Sequence, residues 1–178
     1  MNVELSLNIL HNLIAQGVRE FCLCPGGRNA PLVKALQLIN DIRIYSFYDE
    51  RAAAFFALGA IKRSARPVAV VTTSGTAVAN LLPACVEAHY TYKPLLLLTA
   101  DRPKSHRNSG SPQTIEQVGI FSHYVEKTYD ISELSEVNIT IHQQPVHVNV
   151  CFAEPLLNDL ENVKSSDISA NNDSFLVA

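Results

Sequence analysis

Four apolar runs dominate the first hundred or so residues: VREFCLCP, IRIYSFY, PVAVVTT and PLLLLTA. Each breaks off on a polar corner, in turn Pro25-Gly26-Gly27-Arg28, Asp49-Glu50-Arg51, Ser74-Gly75-Thr76 and Asp101-Arg102-Pro103. The runs are continuously apolar rather than alternating, which is how strands buried on both faces read. Helical patterns separate them, with short connections. This order predicts an α/β fold, a doubly wound, mainly parallel sheet with helices on both faces. In such a sheet ligands collect beyond the carboxyl ends of the strands. All four corners lie on that edge.

The helices have recognisable starts and stops. Val3, Leu7, Leu10 and Ile14 recur at helical spacing, and Gly17 ends the pattern. NAPLVKALQLI reads as a helix with Asn29 as its cap and Pro31 in its first turn. An alanine-rich helix follows Asp49-Glu50-Arg51, and AVANLLPACVEAHY reads as one further helix. After Gln113 the pattern weakens. HYVEKTYDI and VHVNVCF read as strands, while SELSEVNITIHQQ between them fits either a short crossover or one arm of a hairpin. Residues 1–157 are expected to form the domain. Residues 158–178 are polar and loop-like and end in FLVA, and they are expected to be a linker toward a missing following domain.

Composition removes several functions. A net charge of −3 provides no electrostatic footprint for nucleic acid or an anionic membrane. No apolar run approaches the roughly 20 residues of a membrane span. The N-terminus lacks the basic start of a secretory signal, so a cytoplasmic location is expected. Cys22, Cys24, Cys85 and Cys151 form no C-x-x-C pair and read as small core residues. Neither a G-x-G-x-x-G nor a G-x-x-x-x-G-K-[ST] occurs. The PGG and SGT corners could each hold an anion at a helix start or could simply be tight turns.

Taken together and in order, CPGGRNAPL, YDERAAAFFALG, PVAVVTTSGTAVANLLPACVEAHY, PLLLLTADRP, QTIEQVGIF and VHVNVCFAEPL carry a resemblance. They closely resemble the N-terminal pyrimidine-binding domain of thiamine-diphosphate enzymes. The nearest likeness is to the 2-succinyl-5-enolpyruvyl-6-hydroxy-3-cyclohexene-1-carboxylate synthases of menaquinone biosynthesis, transferases that join decarboxylated 2-oxoglutarate to isochorismate. The resemblance runs from about residue 1 to about residue 157. It implies thiamine diphosphate as cofactor, with magnesium and the diphosphate held by a separate domain of the same or a neighbouring chain, and a homo-oligomer.

The resemblance also assigns roles. Glu50 is implied to be the activating glutamate, hydrogen-bonded to N1′ of the aminopyrimidine, and Gln113 an active-site amide. Pro25, Thr76 and Asn80 are implied to line the pyrimidine side, and Arg28 and Arg102 to hold substrate carboxylates, which a guanidinium fork grips in a bidentate way. No metal ligand is implied within this chain. Asp49 and Arg51 read as cap and dipole partners. His106 and His123, near the same edge, read as exposed or packed. The small residues Ala52, Ala53, Ala54, Ala57, Gly59 and Ala60 fit either close approach of a second domain or a tight helix–sheet contact.

The chain departs from the family pattern at Gly27, where serine is usual, and at Pro112, where an amide-bearing residue is usual. The G-D-G motif of the diphosphate-binding domain is absent. An excised or separately encoded N-terminal domain, inactive alone, is therefore expected. Two alternatives stay open: the small subunit of a two-chain thiamine-diphosphate 2-oxo acid decarboxylase, and a non-catalytic assembly domain.

Overall fold

A computed structural model of the chain describes residues 1–157 and 175–177. Five helices are named α1 (Asn2–Ala15), α2 (Ala30–Gln37), α3 (Glu50–Ser64), α4 (Thr76–Ala79) and α5 (Leu82–Tyr90). Seven strands are named β1 (Glu20–Leu23), β2 (Arg43–Ser46), β3 (Val68–Thr72), β4 (Leu95–Asp101), β5 (Lys127–Ile131), β6 (Val146–Cys151) and β7 (Phe175–Val177). They form one sheet in the order β5-β6-β4-β3-β1-β2-β7. Every adjacent pair is parallel. The doubly wound α/β expectation therefore holds. The greater part of the expected linker, residues 158–174, lies outside the described residues.

The strand period of two decides which helices cover which face. Phe21, Leu23, Ala69, Val71, Leu96 and Leu98 point to the side packed by α1 and α2, in a cluster that continues through Tyr129, Val148 and Phe152. Cys22, Val68, Val70, Leu95 and Leu97 point to the other side and meet α3 and α5. All four cysteines are buried and unpaired. Burial pushes the Cys85 thiol up to about 12, so it remains a neutral core group at ordinary pH.

Two local expectations change. The pattern AVANLLPACVEAHY is not one helix but two, α4 and α5. Pro83 has no N–H for a helical bond, and the chain turns at Asn80-Leu81 instead. The hairpin reading, ITIH returning on VHVNV, also fails, because residues 139–142 form no strand and β6 lies between β4 and β5, both parallel to it. Their crossover holds only a short 3-10 turn, Leu134–Glu136, where a helix would be usual. Side chains supply its missing backbone partners. Gln16 Nε2 donates to the Ile139 carbonyl at 2.8 Å and Gln16 Oε1 accepts from Ile141 N at 2.9 Å. Thr140 N donates to the Tyr129 hydroxyl at 3.0 Å. No helix among the described residues is long and apolar enough to cross a membrane.

The strand order reverses at β1, which has β2 on one side and β3 on the other. Such a switch point opens a crevice above the carboxyl ends of the two diverging strands. The corners that follow β1 and β3 border it.

Candidate active site

Asp49 and Glu50 divide two tasks at the start of α3. Asp49 is the N-cap, and its Oδ1 accepts from Ala52 N at 2.7 Å. This satisfies one of the helix's unpaired donors. Capping fixes the direction of the next residue, Glu50, the first in the helix. Glu50 is half-buried, and its Oε2 accepts from Asn80 Nδ2 at 3.3 Å. Asn80 closes α4, so this contact ties the corner after β2 to the corner after β3. Behind them, burial and then the negative charges of Glu50 and Asp49 push the Cys24 thiol up to about 12.

The PGG corner is pinned from below. Asn29 stands at the N-cap of α2, but its side chain makes no cap bond there. Fully buried, it accepts from Gly26 N at 2.8 Å and donates to the Cys24 carbonyl at 2.9 Å. A side chain on Gly26 would meet Thr73 at 2.6 Å. Glycine thus lets the first corner lie against the residue that leads into Ser74-Gly75-Thr76. Pro25 and Thr76 are exposed on this edge.

Arg102 and Gln113 clasp the SGT corner. Arg102 Nη1 donates to Ser74 Oγ and to the Gln113 carbonyl, both at 3.2 Å. Gln113 Nε2 donates to the Ser74 carbonyl at 2.9 Å. Arg28 stands apart at the end of β6, where its Nη1 lies 2.9 Å from Glu154 Oε1 and donates to the Phe152 carbonyl at 3.3 Å. The expected site residues thus fall into three groups along one edge: Glu50 with Asn80, Arg102 with Gln113, and Arg28 with Glu154. His106 and His123 are exposed. Concavities of about 410 to 530 Å³ among the described residues lie elsewhere, such as the one between α3 and α5 bordered by Phe55 and Tyr90. Beside the half-buried Glu50, the edge is exposed at Pro25, Thr76 and Asn80.

A buried polar network beneath the corners went unnoticed in the sequence. Gln117, 1% exposed, accepts from Gly75 N at 3.1 Å, and its Nε2 donates to the Ala100 carbonyl at 3.1 Å and to Asn149 Oδ1 at 2.7 Å. Asn149 Nδ2 donates onward to Asp101 at 3.2 Å and to Asp130 at 2.9 Å. Arg107 forks onto Asp130 at 2.6 and 2.8 Å. Asp101 Oδ1 accepts from Arg102 N at 2.8 Å, which closes a ring of contacts around the SGT corner. Burial alone would raise the Asp130 carboxyl, but the hydrogen bonds from Arg107 and Asn149 and the nearby positive charges together hold it below its usual range. The available signal was VHVNV, in which polar residues alternate with valines inside an otherwise apolar strand.

The geometry agrees with what this chain is similar to. The family description "Thiamine pyrophosphate enzyme, N-terminal TPP binding domain" matches residues 4–120. Three curated relatives all carry the name 2-succinyl-5-enolpyruvyl-6-hydroxy-3-cyclohexene-1-carboxylate synthase. The one from Bdellovibrio bacteriovorus is 54% identical over 160 residues, covering 88% of this chain and 30% of its own. That of Akkermansia muciniphila is 46% identical over 157 residues, 83% of this chain and 29% of its own. That of Chloroflexus aurantiacus is 43% identical over 166 residues, 85% of this chain and 28% of its own. The chain therefore spans somewhat under a third of the length of these relatives.

Proposed function

We infer that this chain, which belongs to the family of thiamine pyrophosphate enzyme N-terminal domains, is the pyrimidine-binding part of a transferase that decarboxylates 2-oxoglutarate and joins the remaining fragment to isochorismate. The observation that carries this reading is the half-buried Glu50 carboxylate, presented at a strand end and oriented by the Asn80 amide. When bound, thiamine diphosphate supplies the electron sink for decarboxylation. The residues present fit its pyrimidine end. Glu50 provides the carboxyl that would share a proton with the ring nitrogen N1′, and Asn80 fixes the rotamer from which it does so. Pro25, Thr76 and the tight Gly75 corner would give the flat ring a wall. Arg28 and Arg102 would offer their guanidinium groups to substrate carboxylates, and Gln113 would hold cofactor or substrate from beside Ser74.

The same reading assigns the diphosphate and magnesium to a second domain, from the same or a neighbouring chain, in a homo-oligomer. An exposed edge beside the essential carboxylate suits a site completed by another body. Phe55, Gly59, Pro83, Val86 and Tyr90 border a groove between α3 and α5, with Phe55 and Tyr90 exposed, and this groove would offer that body a surface. The test is reconstitution with a diphosphate-binding domain, thiamine diphosphate, magnesium and both substrates, following carbon dioxide and product. Glu50→Gln should cost about 10²–10⁴ in turnover, the range for a positioned acid–base group, with the melting transition unchanged. A variant as active as the unmodified protein would leave only an assembly role for the chain.

A further inference from the structure

The ion pair between Arg28 and Glu154 is lopsided. The Arg28 side chain is 14% exposed and that of Glu154 is 65% exposed. With its carboxylate so open to water, the pair adds little to stability, so folding alone gives little reason for it. Its geometry is better determined than its energy. The backbone carrying Glu154 is anchored by Asn2, whose Nδ2 donates to the carbonyls of Ala153 at 2.9 Å and Pro155 at 3.1 Å. The carboxylate is therefore held out by a fixed segment.

At the arginine, the contacts fall on one nitrogen. Nη1 faces Glu154 and donates to the Phe152 carbonyl, while Nη2 and Nε make no hydrogen bond among the described residues. Neither is among the fully buried polar atoms that lack a partner, so each keeps some contact with solvent. A guanidinium gripped on one nitrogen keeps the other two donors as a fork with a fixed plane, the arrangement that receives a carboxylate in bidentate fashion.

We propose that Glu154 is a positioning residue that orients Arg28 for a substrate carboxylate. The proposal rests on the reading of Arg28 given above and adds to it the group that sets the fork. The alternative relation, in which Glu154 occupies the arginine as a competitor, predicts the opposite sign.

The experiment compares Glu154→Ala, Glu154→Gln and Arg28→Ala in the reconstituted enzyme, with KM and kcat measured for 2-oxoglutarate and isochorismate separately. Glu154→Ala should raise KM for one of the two by about tenfold, with a smaller change in kcat. Glu154→Gln should recover most of the loss, since its amide oxygen still accepts from Nη1. Arg28→Ala should raise KM for the same substrate at least as far. Unchanged or lowered KM in Glu154→Ala, beside a raised KM in Arg28→Ala, overturns the proposal. If Arg28→Ala leaves both KM values alone, the role given to Arg28 has failed. Positioning is then decided by the Arg28 side-chain NMR signal of the 178-residue chain. Glu154→Ala should quicken rotation about the Arg28 Nε–Cζ bond, and an unaltered signal overturns the positioning itself.

Discussion

At Gly75 the backbone sits at φ +79° and ψ −135°, and a Cβ there would stand 2.7 Å from Gln113 Cγ. Conformation and space both demand glycine. Gly75→Ala should cost about 1–3 kcal/mol from backbone strain alone, seen as a lowered urea midpoint. Gly27 is the useful contrast, because nothing lies within 4 Å of a Cβ at that position. The serine usual in the family would fit there unopposed, so the departure that stood out in the sequence carries no packing demand. His147 is a residue whose importance was hidden. Fully buried between Thr99, 2.8 Å from its Nε2, and the Phe121 ring, it is driven by burial down to about 3. An unfolded histidine titrates near 6.5. The unfolded chain therefore binds the extra proton first, and stability should fall from about pH 6.5 toward pH 3. The slope for one proton approaches about 1.4 kcal/mol per pH unit. Asp130, held low, loses its share in the same direction. Urea titrations across that range should show a shallower slope in His147→Leu, whatever its starting stability.

Among the elements, the strands were legible because continuous apolar runs have few other uses, and α1 to α3 because helical spacing, the Gly17 stop and the Asp49 cap are local. Asn29, expected as the cap of α2, makes no cap bond and pins the PGG corner instead. What could not be read was set by tertiary partners. Pro83 was visible, yet only the fold determines that Asn80 and Leu81 turn ahead of it rather than the helix kinking. The crossover between β5 and β6 was obscure because its hydrogen bonds come from Gln16, more than a hundred residues away in sequence. The alanines of α3 were a matter of alternatives, and the sheet accounts for most of them: Ala53, Ala54, Ala57 and Ala60 are buried against this chain's own core, leaving Ala52 and Gly59 outside. Of the candidate site, the corners were legible and their support was not. Gln117 stands in QTIEQVGIF, a stretch that stood out in the sequence, but its part in bridging Gly75, Ala100 and Asn149 shows only in the fold. Gln117→Ala would leave a buried N–H and a buried carbonyl unpaired, at about 1–3 kcal/mol each. The expected result is a lower urea midpoint together with faster amide exchange at Gly75.

For the whole molecule, the proposed reading places most of the cofactor's charge away from the Glu50 carboxylate. The edge that presents Glu50 is a surface, and the Arg102 Nη1 contacts fall within the chain. On the proposed reading the isolated chain should show no saturable heat with thiamine diphosphate and magnesium in calorimetry. Saturation should appear once a diphosphate-binding domain is added. Tight binding to the chain alone would mean that the diphosphate has a site on this domain. The parallel order itself was foreseeable from the alternation of strand and helix. The place of β5 and β6 beyond β4 was not, since adjacency in a sheet depends on which faces remain uncovered.

The short strand β7 lies along the outer side of β2 and matches Ile44, Tyr45 and Ser46 with Phe175, Leu176 and Val177. Without it β2 would be a rim of unsatisfied amides and carbonyls beside the segment that leads into Glu50, an invitation to pair with any extended peptide nearby. The far end of the chain thereby acts as a selvedge: it finishes the cloth at the side where fraying would first reach the Glu50 corner.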